Sequence, residues 1–165
     1  MAAHAQAHLR QRPEQTSFGL GDLQPVVRHP VPLTPSELAA LARDELMRQE
    51  MDKDPPIKVL TGEGLDASVV HLFNRRERDL VVIGSGQPFM GADIGPFWIV
   101  RDLPDGPVVV LHTLMLSLEV KASRTHSLRD ISAFSANAAN NTEAVFHFNG
   151  TQYIVVRTRT RPSGS

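Results

Sequence analysis

The chain of 165 residues contains no cysteine. That excludes disulfides, thiol nucleophiles, thiolate zinc sites and iron–sulfur clusters together. Aromatic residues are scarce at 5%, with one tryptophan and one tyrosine. A stacking platform for single-stranded nucleic acid needs more of them. No charge sign dominates: 17 Lys and Arg against 18 Asp and Glu leave a net charge of −1. No global field therefore draws in nucleic acid or an anionic membrane. No apolar run approaches the length of about 18 residues that a membrane helix needs. Neither a nucleic-acid partner nor a membrane span is expected.

The rest of the composition is that of a globular protein, 41% hydrophobic and 21% charged. This length fits one domain, which buries roughly 68–70% of its unfolded surface. Twelve prolines and eleven glycines are scattered along it, as many turns require. Ala2-Ala3-His4-Ala5-Gln6-Ala7 carries A-x-A steps like the small-residue end of a secretory signal. Taken as a signal-peptide remnant, it implies a periplasmic or secreted protein.

Residues 1–33 read as an extended or disordered arm. Pro25, Pro30 and Pro32 interrupt any regular element there. Phe18, Leu20, Leu23 and Val26-Val27 are the residues that could tack it onto the domain. Thr34-Pro35-Ser36-Glu37 is the strongest local signal in the chain. Thr34 can cap a helix, Pro35 suits the first helical position, and Glu37 completes a capping box. The pattern predicts one amphipathic helix over 35–52, with Leu38, Leu41, Ala42 and Leu46 on one face. Met47 and Met51 widen that stripe as core filling, and Asp54-Pro55-Pro56 ends the helix.

Beyond Pro56 the period becomes that of strands, and 57–158 is the expected β-region. Strands are predicted near 57–60, 67–73, 79–84, 96–101, 107–112, 116–121, 129–135, 143–148 and 151–158. Leu80-Val81-Val82-Ile83 is apolar on both faces and should lie centrally. Asn149-Gly150 predicts a two-residue hairpin turn with positive φ at both positions. Asp105-Gly106 predicts a second hairpin. A β-rich pattern also occurs twice. One copy begins at Arg78-Asp79-Leu80 and the other at Arg129-Asp130-Ile131. The first copy is longer by seven residues, since Asp79 to Asp130 is 51 residues and Gly106 to Gly150 is 44. The expected fold is α+β: one N-terminal helix packed on a mainly antiparallel curled sheet or sandwich of about eight strands. Residues 34–160 form the single domain and 161–165 a tail. Two such units cannot close a propeller, which needs about four blades.

The stretch Asn74-Arg75-Arg76-Glu77-Arg78-Asp79-Leu80-Val81-Val82 resembles the FG-GAP/VCBS-type β-repeat, in which an Asp-rich loop precedes Asp-Leu and an apolar strand. Arg75, Arg76 and Arg78 stand where that family has calcium-binding acids, and guanidinium groups repel a divalent cation. More broadly, the chain is similar to uncharacterised exported bacterial β-rich proteins. The matching residues are His71-Leu72, Asp79-Leu80-Val81-Val82, Gly91-Ala92, Phe97-Trp98, Leu118-Glu119-Val120, Arg129-Asp130-Ile131 and Phe146-x-Phe148-x-Gly150-x-x-Tyr153. The resemblance spans residues 34–156 and implies a location and a β-rich fold, not an activity.

No catalytic constellation emerges. Gly84-Ser85-Gly86 follows a buried strand, but it lacks the G-x-S-x-G pattern and a following helix. The seven histidines show no ligand spacing within an ordered segment. No metal and no cofactor are expected. The 84–96 loop is the candidate partner-binding surface, because long hairpin connections concentrate function. Gln87, Phe89, Met90 and Asp93 are its contact residues, and Trp98 stands at its base. The opposing reading has Phe89 and Ile94 folding back to plug one end of the core, with Trp98 a core residue. Arg157, Arg159 and Arg161 alternate, about 6.7 Å apart on one face of an extended chain. They form a weaker anion-binding candidate or a charged edge that blocks sheet association. The expected function is a non-enzymatic binding protein whose partner is another protein that it inhibits or neutralises. A self-assembling homo-oligomer is the alternative, with a hydrolase behind both.

Overall fold

A computed structural model describes residues 13–21, 24–25, 27–86, 89 and 94–163. Among them, two antiparallel sheets face each other and two short helices cover one side. The expected single helix is two. α1 (Pro35–Arg43) and α2 (Glu45–Met51) meet at Asp44, whose ψ of 142° is extended. The capping box forms as expected: Thr34 Oγ1 accepts from the Glu37 N–H, and the Glu37 carboxylate accepts from the Thr34 N–H at 2.7 Å. The break at Asp44 follows from its short acceptor side chain, which leaves the helix ladder to cap the Met47 N–H at 3.2 Å.

Eight of the nine expected strand segments exist, six with longer bounds, 79–84 with the expected ones and 67–73 shifted to Leu65–Val70. They are β3 (Leu65–Val70), β4 (Asp79–Gly84), β5 (Gly95–Leu103), β6 (Gly106–Met115), β7 (Ser117–Thr125), β8 (Leu128–Ala136), β9 (Asn140–Phe148) and β10 (Tyr153–Pro162). The segment 57–60 is not a strand. Ile57 and Leu60 instead pack as plugs against the helix side of the sheet. A short apolar run does not distinguish these outcomes. The segment read as an arm contributes two strands, β1 (Ser17–Gly21) and β2 (Gln24–Pro25). β1 pairs with β7 and buries Phe18. The expected tail begins inside β10, which runs to Pro162.

One sheet has the order β3-β4-β5-β6, the other β10-β9-β8-β7-β1-β2. Each half of the β-region is thus a four-stranded meander, and the two sequence copies start at β4 and β8, the second strand of each. β4 is buried throughout, as its two-sided apolar run requires. Val81 and Ile83, with Phe97 and Ile99 of β5 beside them, face the second sheet, where Ile131, Phe146 and Phe148 complete the core. Leu80 and Val82 face the helices, against Leu41, Met47 and Trp98. Each such side chain contributes roughly 1.5–3 kcal/mol by leaving water.

The turns depart from expectation in an instructive way. Asn149-Gly150 lies in a four-residue loop, and only Gly150 has positive φ, at 105°. The Asn149 side chain accepts from the N–H groups of Thr151 and Gln152, both at 2.9 Å, which an Asx turn allows and a two-residue turn does not. The two-residue turn with two positive φ values is instead His126-Ser127, at 49° and 70°, joining β7 to β8. Between β5 and β6 the turn is Pro104-Asp105, and Gly106 opens β6 with φ 114°.

Candidate functional site

The 84–96 loop does not present the expected aromatic surface. Phe89 is 1% exposed and Trp98 fully buried. Their rings meet edge to face with centroids 6.4 Å apart. Gly84 makes room for this: a Cβ there would lie 2.6 Å from the Phe89 Cβ. The Trp98 indole N–H donates to Asp44 at 2.9 Å, so the polar edge of the ring is satisfied from the helix side. Both residues are core, and neither offers a face to a partner. Gln87, Met90 and Asp93 lie outside the described residues.

Ser85 and His71 cannot form a hydrolytic pair here. The β3–β4 register sets Leu65 opposite Gly84 and Val70 opposite Asp79, so Ser85 and His71 leave opposite ends of one hairpin. His112 sits on β6, bonded through Nδ1 to the Asp44 carboxylate at 2.8 Å. Among the described residues no group of three His, Asp or Glu is placed to hold a metal. Arg78 pairs with Glu37 and donates to the Pro32 carbonyl at 3.1 Å, so this part of the Asn74–Asp79 loop ties the helix to the sheet.

Several buried polar groups hold the fold. Asp79 is fully buried and accepts from the Leu72 N–H at 3.2 Å. Burial raises its pKa above the ordinary 3.8, against the opposing pull of Arg101 beside it. Burial likewise pushes the Tyr153 phenol well above its usual value, and the Asp79 charge adds to the effect. Its hydroxyl donates to the Arg129 carbonyl at 2.6 Å. The basic hollow near His71 is similarly committed. Arg124 donates to the carbonyls of Leu72, Phe73 and Ser127, and Arg129 to those of Val120 and Lys121 and to Glu14.

The uncommitted chemistry lies on the open face of the six-stranded sheet. Inward residues of β8 and β9 alternate with outward ones, so Ser132, Phe134, Glu143 and Val145 point away from the core. β10 places Arg157 opposite Val145, Arg159 opposite Glu143 and Arg161 opposite Asn141. The three arginines therefore share this open face, and all are exposed. Arg159 and Arg161 border a depression of about 440 Å³ floored by Ser132 and Phe134 and reaching Glu119. Glu119 is already paired with Lys121 at 2.9 Å. None of the three guanidinium groups has a hydrogen bond or ion pair among the described residues.

Ile154, Val155 and Val156 precede them, 41%, 54% and 46% exposed. Ile154 pairs with His147 on the open side, Val155 with Phe146 on the core side, and Val156 is the extra residue at the register shift between Val155 and Arg157. Tyr153 is anchored in the core against Phe148, and past the bulge the strand leaves the core behind. β10 is also an edge: β9 pairs with one side and, among the described residues, no strand with the other. The alternation of the arginines was visible in the sequence. Their neighbourhood with the exposed apolar run, the depression and a bare edge was not, because register and edge position are tertiary facts.

No family model, curated protein or solved structure matches the chain. The likeness to FG-GAP/VCBS-type repeats therefore rests on the residues around Asp79 alone.

Proposed function

We propose that this protein is a non-enzymatic binding protein of the periplasm or cell exterior. Its partner is another protein, held through the open face of the six-stranded sheet and its edge strand β10. The observation that carries this is the combination on one strand of three unpaired exposed arginines and three consecutive exposed apolar residues. Interfaces join an apolar patch to arginine in this way, whereas isolated surface residues of either kind are ordinary. An inhibitor or immunity-type role suits such a surface, since it blocks or neutralises by occupancy alone.

The test is capture from an envelope extract with immobilised wild type and with the Arg157→Glu, Arg159→Glu, Arg161→Glu triple variant. One stoichiometric protein retained by the wild type and lost with the variant supports the reading. Equal retention by both removes β10 from it, and an empty capture removes the protein-binding reading itself.

Self-assembly through the same bare edge is a second reading, motivated by the position of β10. Light scattering decides it: a monomer at high concentration rejects it.

A further inference from the structure

We infer that β10 recognises an extended acidic segment of its partner by strand addition. This rests on the protein-binding reading above and names what is bound. Three observations on β10 converge. Its outer edge carries backbone N–H and C=O groups that no strand of the described protein takes up. Such an edge is a template for one more strand. Arg157, Arg159 and Arg161 stand two residues apart on one face, about 6.7 Å between neighbours. A strand laid beside β10 puts its own alternate side chains at the same spacing on the same face. Acidic residues there meet the arginines directly, and opposite charges across strands stabilise the pair. Glu143, across from Arg159 on the inner side, offsets one of the three charges in part.

The apolar half sets the order of residues along the occupant. Ile154, Val155 and Val156 come first along β10 and the arginines after them. An antiparallel partner strand therefore carries its acidic residues first and an apolar run after them. A strand that served only to keep sheets apart has no use for three exposed β-branched residues beside the charges. A second copy of β10 is a poor occupant: full antiparallel overlap sets Arg161 and Arg159 against Ile154 and Val156 rather than against acids, and a shift that overlaps the two ladders sets arginine against arginine. A sulfated or phosphorylated polymer matches the charges but leaves the backbone edge and the apolar run unused. Of the other described sheet edges, β3 accepts from the Val31 N–H at the Ala67 carbonyl at 2.9 Å, α1 packs along β6, and β2 is only two residues long.

The experiment uses the whole chain, labelled with ¹⁵N, and a synthetic peptide the length of β10. The peptide has glutamate at three alternating positions, threonine between them and three apolar residues at its C-terminal end. Three controls accompany it: the same peptide with a central proline, its lysine counterpart, and a heparin-like sulfated oligosaccharide. The expected result is a saturable shift confined to the amides of β10 and its neighbours, with edge amides of 154–161 slowed in hydrogen exchange. The proline peptide should bind about tenfold more weakly or worse, having lost ladder bonds. The triple Arg→Glu variant, checked for an unchanged thermal midpoint, should weaken the acidic peptide at least about tenfold. Equal binding of the proline peptide or the oligosaccharide overturns strand addition, as does the absence of shifts on β10. If the peptides fail while capture still yields an arginine-dependent partner, strand addition falls and protein binding stands. If capture is empty as well, both fall.

Discussion

Replacing Phe89 by alanine separates the structure most sharply from a reading of Phe89 as an exposed loop tip. The ring is 1% exposed and lies edge-on against Trp98 at 6.4 Å. Truncating a buried phenylalanine costs about 3–5 kcal/mol, through lost transfer energy and the cavity left behind. The upper half of that range applies here. Gly84 already brings backbone against the Phe89 Cβ, which alanine keeps, so that wall cannot collapse into the space. A loss of about 4 kcal/mol takes a large share of a typical stability of about 5–15 kcal/mol. With a urea slope of about 2 kcal/mol/M the midpoint falls by about 2 M. The assay is urea unfolding followed through the emission of Trp98, the only tryptophan and itself fully buried. Phe73→Ala is the control. That ring is 45% exposed, and its loss should cost about 1 kcal/mol or less. A cost below about 1 kcal/mol for Phe89→Ala would refute the buried placement and return Phe89 to the loop surface.

Other consequences follow from the same packing. Asp44→Ala removes the cap of α2 and the partner of the Trp98 indole together. It should cost about 3 kcal/mol in urea unfolding, with Asp44→Asn keeping most of the stability. Ser127→Gly relieves a positive φ of 70° in the β7–β8 turn and should stabilise by about 0.5–1 kcal/mol. A destabilisation there would mean that the turn is not left-handed. Asp79 has a folded pKa raised by burial. Its contribution to stability is therefore full below the unfolded value near 3.8 and is lost as pH rises through the raised folded pKa. Asp79→Asn does not titrate, so the variant should gain on wild type as pH climbs from about 4 towards 7. A difference that is flat or shrinks over that range contradicts the assignment.

The local signals and the tertiary outcome part at identifiable residues. The capping box at Thr34 and Glu37 and the two-sided apolar run of β4 are local patterns with one stable solution each. The eight strands of the two meanders follow from period and turn residues in the same way. The cap that Asp44 gives the Met47 N–H is local, but the bonds from Trp98 and His112 that hold its carboxylate come from far along the chain, so the break was only partly legible. Phe18 entered the sheet for a similar reason: β7 offered an edge that only the folded chain possesses. The turn at His126-Ser127 carries no glycine, so nothing local announced two positive φ values. The candidate site divides likewise. Arg157, Arg159 and Arg161 were legible as a ladder, whereas Phe89 and Trp98 admitted both a surface and a core placement, because aromatic character alone does not say whether a loop turns in or out.

The most direct test of a protein-binding β10 is hydrogen exchange on the protein alone and bound to the partner retained by capture. Slowed exchange concentrated in backbone amides of 154–161, with the helices and the β3–β6 sheet unchanged, is the predicted result. Protection centred elsewhere, with β10 exchanging as fast as in the free protein, would contradict it.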